Sequence, residues 1–233
     1  MIDVESGDAR ADVVALRAVA GGVDLAALRA VAGGSAADLA PGGGSTGPDV
    51  LPVRPDLAPL FPWGGLRRGG TVGVRGSRAL LVALLADAVA DGAWGAVVGL
   101  PDLGVLAAVE AGVPARRLAL VPAPGVELVR VIAALLDGFA VVAVAAGVRA
   151  ADARRLSARA RSRGSVLLVL GPWPGVDVEL TCARGRWSGP ERGYGSLRER
   201  TVRVRGRGRG AAARPVGVDV VLPGPARSCP AAG

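Results

Sequence analysis

The stretch GGTVGVRGSRALLVALLADAVADGAWGAVVGL (69–100) decides the fold. Its opening, GGTVGVR (69–75), is a β-type run. SRALLVALLADAVADG (77–92) is apolar on nearly all sides, as a buried helix is. WGAVVGL (94–100) reads as the next buried strand. The same alternation runs on. DLGVLAAVEAG (102–112) predicts a helix, with Asp102 near its start as a cap and Gly112 ending it. LALV (118–121) predicts a short strand, GVELVRVIAALLDG (125–138) a helix and FAVVAVAAG (139–147) a buried strand. RAADARRLSARARSRG (149–164) predicts an amphipathic helix, with Ala153, Leu156 and Ala160 on one face and Arg155, Arg159 and Arg163 on another. SVLLVLG (165–171) is the last buried strand of the series. Apolar strands alternating with helices imply an α/β core whose mostly parallel sheet is covered on both faces.

Beyond Pro172 the pattern changes to period two. Val176, Val178, Leu180 and Cys182 alternate with Asp177, Glu179 and Thr181. Val202 and Val204 alternate with Thr201, Arg203 and Arg205, and Val216, Val218, Val220 and Leu222 close the set. Such alternation predicts an antiparallel β extension with one wet face. RGRGRGAAARP (205–215) reads as the long turn between its last two strands.

Upstream, Val13, Leu16, Ala20, Leu25, Leu28 and Val31 recur at helical spacing. The octamer ALRAVAGG occurs at 15–22 and again at 27–34, a local duplication. PGGGSTGPDVLPVRPDLAP (41–59) reads as a flexible linker. The expected organisation is a helical segment (1–40), a linker (41–59), the α/β core (60–173), a basic β-rich extension (174–225) and a disordered tail (226–233).

Composition excludes much chemistry. Of the 233 residues, 51 % are apolar and 3 % aromatic, so the core is Val, Leu, Ala and Ile. All 28 basic residues are Arg; Lys, His, Asn and Gln are absent. Without Lys there is no P-loop lysine and no Schiff base; without His there is no imidazole ligand and no Ser-His or Cys-His pair. Acid–base work would fall to Asp, Glu, Cys182, Cys229 or Tyr194, which argues against an ordinary enzyme. Two cysteines 47 positions apart make neither a disulfide framework nor a metal motif. The start, MIDVESGDAR, lacks the apolar core of a signal peptide, and no run reaches the ~18 apolar residues of a membrane span. The expectation is a soluble cytoplasmic protein. Charge is uneven: residues 1–148 carry 11 Arg against 14 acidic residues, whereas 149–233 carry 17 against 6.

The order strand, glycine turn, helix at 69–92 is the layout of a phosphate-binding loop. Only Gly76, Ser77 and Arg78 stand between the strand and the apolar helix run, too few to wrap a triphosphate. GLRRGG (65–70) has glycine spacing of the right kind but precedes the strand, and Thr71 stands where Lys would be needed. The strand at 139–147 ends in alanines where a metal-binding acid belongs. Three parts are missing together, so neither nucleotide hydrolysis nor a cofactor is expected. Gly76 and Ser77 are then expected to turn the chain and cap the helix, with weak anion binding by the backbone N–H groups at Ser77 as the alternative.

Several stretches carry a resemblance: LFPWGGLRRGGTVGV before and through the first strand, GAWGAVVGLPDLG (92–104), RLALVPAPG (117–125), AALLDG (133–138), RARSRGSVLLVLGPWPG (159–175) and RWSG (186–189). Together they resemble the RecA-like ATPase core, and within it the ImuA-prime (ImuA/SulA-like) proteins of actinobacteria. The resemblance implies a RecA-like core without a functional P-loop. It implies an accessory role in a DNA-damage-induced mutasome for translesion synthesis under SOS control, beside an ImuB-like Y-family polymerase subunit and an error-prone DnaE-type polymerase. Such a protein would associate with the nucleoid after damage. The family supplies no catalytic residue that matches this chain.

Two other functions remain open. One is sequence-independent DNA binding by Arg198, Arg200, Arg203, Arg205, Arg207 and Arg209, near Trp187 and Tyr194, with Arg on phosphates and aromatic rings under unpaired bases. Against it, Arg203 and Arg205 could pair across the sheet with Asp177 or Glu179. The other is inhibition of the division protein FtsZ, as a SulA-like protein.

Overall fold

The structure is a computed structural model that describes residues 14–15, 50–90, 92–189 and 199–223. Strands β1 (Val14–Ala15), β2 (Val50–Leu51), β3 (Leu66–Arg67) and β4 (Thr71–Arg75) lead into helix α1 (Arg78–Ala90). There follow β5 (Gly95–Val98), α2 (Val105–Glu110), β6 (Leu118–Val121), α3 (Leu128–Leu136), β7 (Val141–Val144), α4 (Ala150–Arg163) and β8 (Val166–Leu170). The last strands are β9 (Val178–Cys182), β10 (Arg186–Ser188), β11 (Glu199–Gly208) and β12 (Val216–Pro223). In the main sheet the order is β1-β6-β5-β7-β8-β4-β9-β11. β11 is long enough to pair with β9 along its second half and β10 along its first, with β12 on its other side.

Every residue of β5, β6 and β7 is buried, because helices cover both faces there. Alternate residues divide between two apolar layers. Val72, Val74, Val97, Val141 and Leu168 pack toward α1, with Leu57, Leu60 and Phe61 in the same layer. Val98, Val142, Val144, Leu167 and Val169 pack toward α3 and α4. α1 lies close against the sheet: a Cβ on Gly95 would stand 2.8 Å from Val89 Cγ1 and 3.0 Å from Leu85 Cδ1. Leu80, Leu81, Leu84 and Leu85 of this helix are at most 1 % exposed, and each contributes about 1.5–3 kcal/mol by burial. On the other layer, α4 ends on Gly164 in the left-handed region (φ 68°), as expected from the sequence.

Several expectations need correction. The sheet as a whole is mixed, not mostly parallel: pairing is parallel from β6 to β9 and antiparallel from β9 to β12. β9 pairs antiparallel with β11, as its alternation implies, and on its other side runs parallel to β4 (Val72 opposite Val178, Val74 opposite Leu180). Period-two alternation reports one wet face, not the direction of a neighbour. Residues 205–208 are strand, not turn; the turn is confined to 209–215 and contains a short 3-10 helix at Gly210–Ala212. The glycines are needed inside the strand because backbone crowds it: a Cβ on Gly206 would meet Leu60 O at 3.2 Å, and one on Gly208 would overlap Asp177 O. Asp102 does not cap α2, whose N-cap is Gly104; it stands 3.9 Å from Arg78 instead. The first turn of the 125–138 helix is 3-10 (Gly125–Glu127).

Within the stretch read as linker, residues 50–59 are packed. Val50–Leu51 pair antiparallel with Leu66–Arg67, and Leu57 is fully buried. Arg54 pairs with Asp56 and donates to Val221 O at 2.9 Å. It also stands beside Asp87 of α1, whose carboxyl is pushed up by burial against the opposing pull of Arg54. The helix expected over the first 40 residues lies outside the described residues, except that Val14–Ala15 form a strand parallel to Ala119–Leu120. The tail at 226–233 also lies outside them.

Candidate functional site

The carboxyl end of β4 is where a phosphate loop would sit. The chain leaves Arg75, turns at Gly76 (φ 82°) and enters α1 at Arg78. Ser77 is 7 % exposed, and its Oγ accepts from Leu80 N–H at 3.1 Å. That is an N-cap, worth about 1 kcal/mol. A Cβ on Gly76 would lie 2.9 Å from Cys182 O, so the carbonyl at the end of β9 closes on the turn. Arg78 faces Asp102 across the mouth. Beside it, a groove of about 170 Å³ runs between α1 and α2, lined by Ala79, Val82, Leu103, Ala107 and Ala108. Ligand pockets usually begin at roughly 300 Å³. At the end of β7, Ala145 N–H donates to Val98 O at 2.9 Å, and Ala146 Cβ packs on Gly99. Among the described residues no group of three or more His, Cys, Asp or Glu could hold a metal ion.

The six candidate arginines separate in space. Arg203, Arg205 and Arg207 share one face of β11, opposite Asp219, Thr181 and Glu179 or beside them in register, and all three are exposed. No helix among the described residues covers that face; α3 and α4 pack around β5, β7 and β8. Arg200 is on the other face, its guanidinium 5.9 Å from the Trp187 ring centroid. Arg209 lies past the strand. Arg198 and Tyr194 lie outside the described residues. The expected cross-sheet pairs take other partners: Arg203 donates to Asp219 at 2.6 Å, Glu179 pairs with Arg75, and Asp177 is 3.8 Å from Arg161. Arg205 and Arg207 have no ion-pair partner among the described residues.

At the amino end of β4 lies a cleft of about 320 Å³ that sequence reasoning did not find. Gly69, Gly70, Trp63, Arg67, Arg161 and Arg209 are among the residues that line it. Its carboxylate is Asp177, whose Oδ2 accepts from Thr71 N–H at 2.8 Å. Arg67 lies 5.1 Å from the centroid of Trp63. Close packing fixes the glycines: Gly69 is at φ 75°, and a Cβ there would stand 3.0 Å from Arg161 Cα. α4 arrives at this cleft with three arginines on its last turns. Arg159 and Arg163 are taken by Asp137 at 2.9 and 3.0 Å, while Arg161 reaches toward Asp177. Burial raises the Asp137 pKa, but the bonds and charges of Arg159 and Arg163 outweigh it and hold the carboxyl below its usual range.

The family model for the MT3502 N-terminal domain matches residues 59–175. The chain belongs to the MT3502 N-terminal domain family. A similar protein, "Uncharacterized protein Rv3395c" of Mycobacterium tuberculosis, is 43 % identical over 144 residues, covering 60 % of this chain and 66 % of the relative. The chain thus spans just under two thirds of that relative's length. The MT3502 N-terminal segment runs from the 57–61 turn through β8 and stops before β9. It therefore contains the Gly76–Arg78 turn and the Trp63, Arg67 and Arg161 side of the cleft, whereas Asp177 and Arg209 come from the extension that follows. No helix among the described residues is long and apolar enough to cross a membrane.

Proposed function

We propose that this chain is a non-catalytic platform with a RecA-like core whose work is to hold other macromolecules. The observation that carries the reading is the Gly76–Ser77 turn, where a capping hydroxyl and the Cys182 carbonyl stand where a triphosphate would need backbone N–H groups and room. The chain also lacks the Lys and the acid at the end of β7 with which a phosphate-binding loop holds the γ-phosphate and its metal ion. Together with the resemblance to ImuA-prime proteins, this supports an accessory role in a DNA-damage-induced mutasome. The direct partner is an ImuB-like polymerase subunit, with a DnaE-type polymerase joined through it. Affinity purification from cells stressed by ultraviolet light, with mass spectrometry of the captured proteins, tests the reading. An ImuB-like subunit enriched after damage is expected; its absence from repeated captures argues against the platform role.

A second reading is favoured by the uncovered β11 face. Arg203, Arg205 and Arg207 lie two residues apart, about 6.8 Å between successive guanidinium-bearing positions. A row of that kind suits a chain of phosphates bound without regard to sequence. It is compatible with the platform role.

A further inference from the structure

The cleft at the amino end of β4 is at the opposite end of the strand from the lost phosphate loop. Arg67, Arg161 and Arg209 line it against one carboxylate, and that carboxylate is already engaged by Thr71 N–H and Arg161. The surplus positive charge calls for an anion. Trp63 narrows the choice. It is half-buried, with the Arg67 guanidinium 5.1 Å from its ring centroid, so the cleft holds an aromatic ring and a guanidinium side by side. Carboxylate side chains of an acidic peptide make no use of such a surface, whereas a nucleobase stacks on aromatic and guanidinium planes alike. The volume, about 320 Å³, accommodates a ligand of one nucleotide. A duplex would present its bases only in stacked pairs.

The cleft is also continuous with the β11 row. Arg209 N–H donates to Asp177 O at 3.0 Å, which places the end of β11 against the cleft wall. From there Arg207 and Arg205 lead away along the open face.

Resting on the second reading above, we infer that this cleft holds one nucleotide of a single nucleic-acid strand. The base lies against Trp63 and Arg67, and the phosphate lies between Arg161 and Arg209. The neighbouring phosphates follow Arg207 and Arg205.

The test is fluorescence anisotropy of a labelled oligothymidylate titrated with the whole protein at several salt concentrations. R67A/R209A should weaken binding about tenfold or more, and the slope of log K against log salt should fall by about 0.7 for each phosphate left without its arginine. W63A should lose about fivefold or more, while W63F stays near the parent, since an aromatic face is retained. R209K, which keeps the charge, guards against a fold defect: it should bind almost as the parent does, whereas R209E should not. If the parent binds and R205A/R207A weakens it while R67A/R209A and W63A do not, the cleft inference falls and the β11 reading survives. If the parent fails to bind even at low salt, both fall. Displacement by a polyglutamate peptide as readily as by unlabelled oligothymidylate would also overturn the assignment to a nucleotide. So would a free mononucleotide competing as well as the strand.

Discussion

At its carboxyl end β4 passes into α1 through two residues, and what surrounds them is a capping serine, a carbonyl and alanines. At its amino end the same strand begins under a turn of glycines and arginines, with a tryptophan, the last turns of α4 and the end of β11 gathered around it. In an open α/β sheet the carboxyl ends of the strands are the usual ligand side. Here that end is closed by the Ser77 cap and the Cys182 carbonyl, with Arg75 held by Glu179 and Arg78 facing Asp102, whereas at the other end arginines outnumber the one carboxylate.

Near the amino end, backbone crowds β11 most closely at Gly208, so a substitution there should cost most. Gly208→Ala places a Cβ on the Asp177 carbonyl and leaves no path for relief except backbone movement. A loss of about 3 kcal/mol or more in urea-unfolding free energy is expected. A variant as stable as the parent would show that β11 and β9 do not approach as described.

Asp137→Asn comes next. It frees Arg159 and Arg163 at the end of α4 and should remove about 1–2 kcal/mol at neutral pH, discounted for partial exposure. The sign in pH follows from the lowered pKa. The folded state holds the carboxylate more tightly than the unfolded chain, so its contribution is full above about pH 5 and is lost as pH falls through the lowered value. The stability gap between parent and variant should therefore be constant from about pH 5 to 8 and shrink below about pH 4. A gap independent of pH would mean that the ion pairs do not carry it.

At the carboxyl end the smallest change is expected. Ser77→Ala removes one cap and should cost about 1 kcal/mol. If Ser77 held a phosphate, the variant would also lose the ability to be stabilised by nucleotides; thermal melts of parent and variant with and without nucleotide separate the two.

Much of the core was legible in the sequence because burial on both faces leaves short apolar runs between glycines: β4, β5, β6, β7 and β8 fall inside the predicted runs. The Gly76 turn and the Ser77 cap were legible as well, since they depend on residue types at adjacent positions. The antiparallel pairing of β9 with β11 was legible, but its parallel pairing with β4 was not, because Val178, Leu180 and Cys182 would alternate identically beside either kind of neighbour. Gly206 and Gly208 resembled turn residues because their need for glycine comes from Leu60 and Asp177, far away in the chain. The cleft was hidden for the same reason. Arg67, Arg161 and Arg209 are brought together only by the crossing of α4 over the sheet and the return of β11.

Thermal unfolding in the presence of Mg-ATP tests most directly whether the triphosphate site is gone. A ligand at about one hundred times its Kd stabilises by about 2.7 kcal/mol, which in a protein of this size raises Tm by roughly 5–10 °C. With the Gly76–Arg78 turn closed as it is, no shift is expected at millimolar Mg-ATP, in the parent or in Ser77→Ala. A saturable rise in the parent that Ser77→Ala abolishes would contradict it.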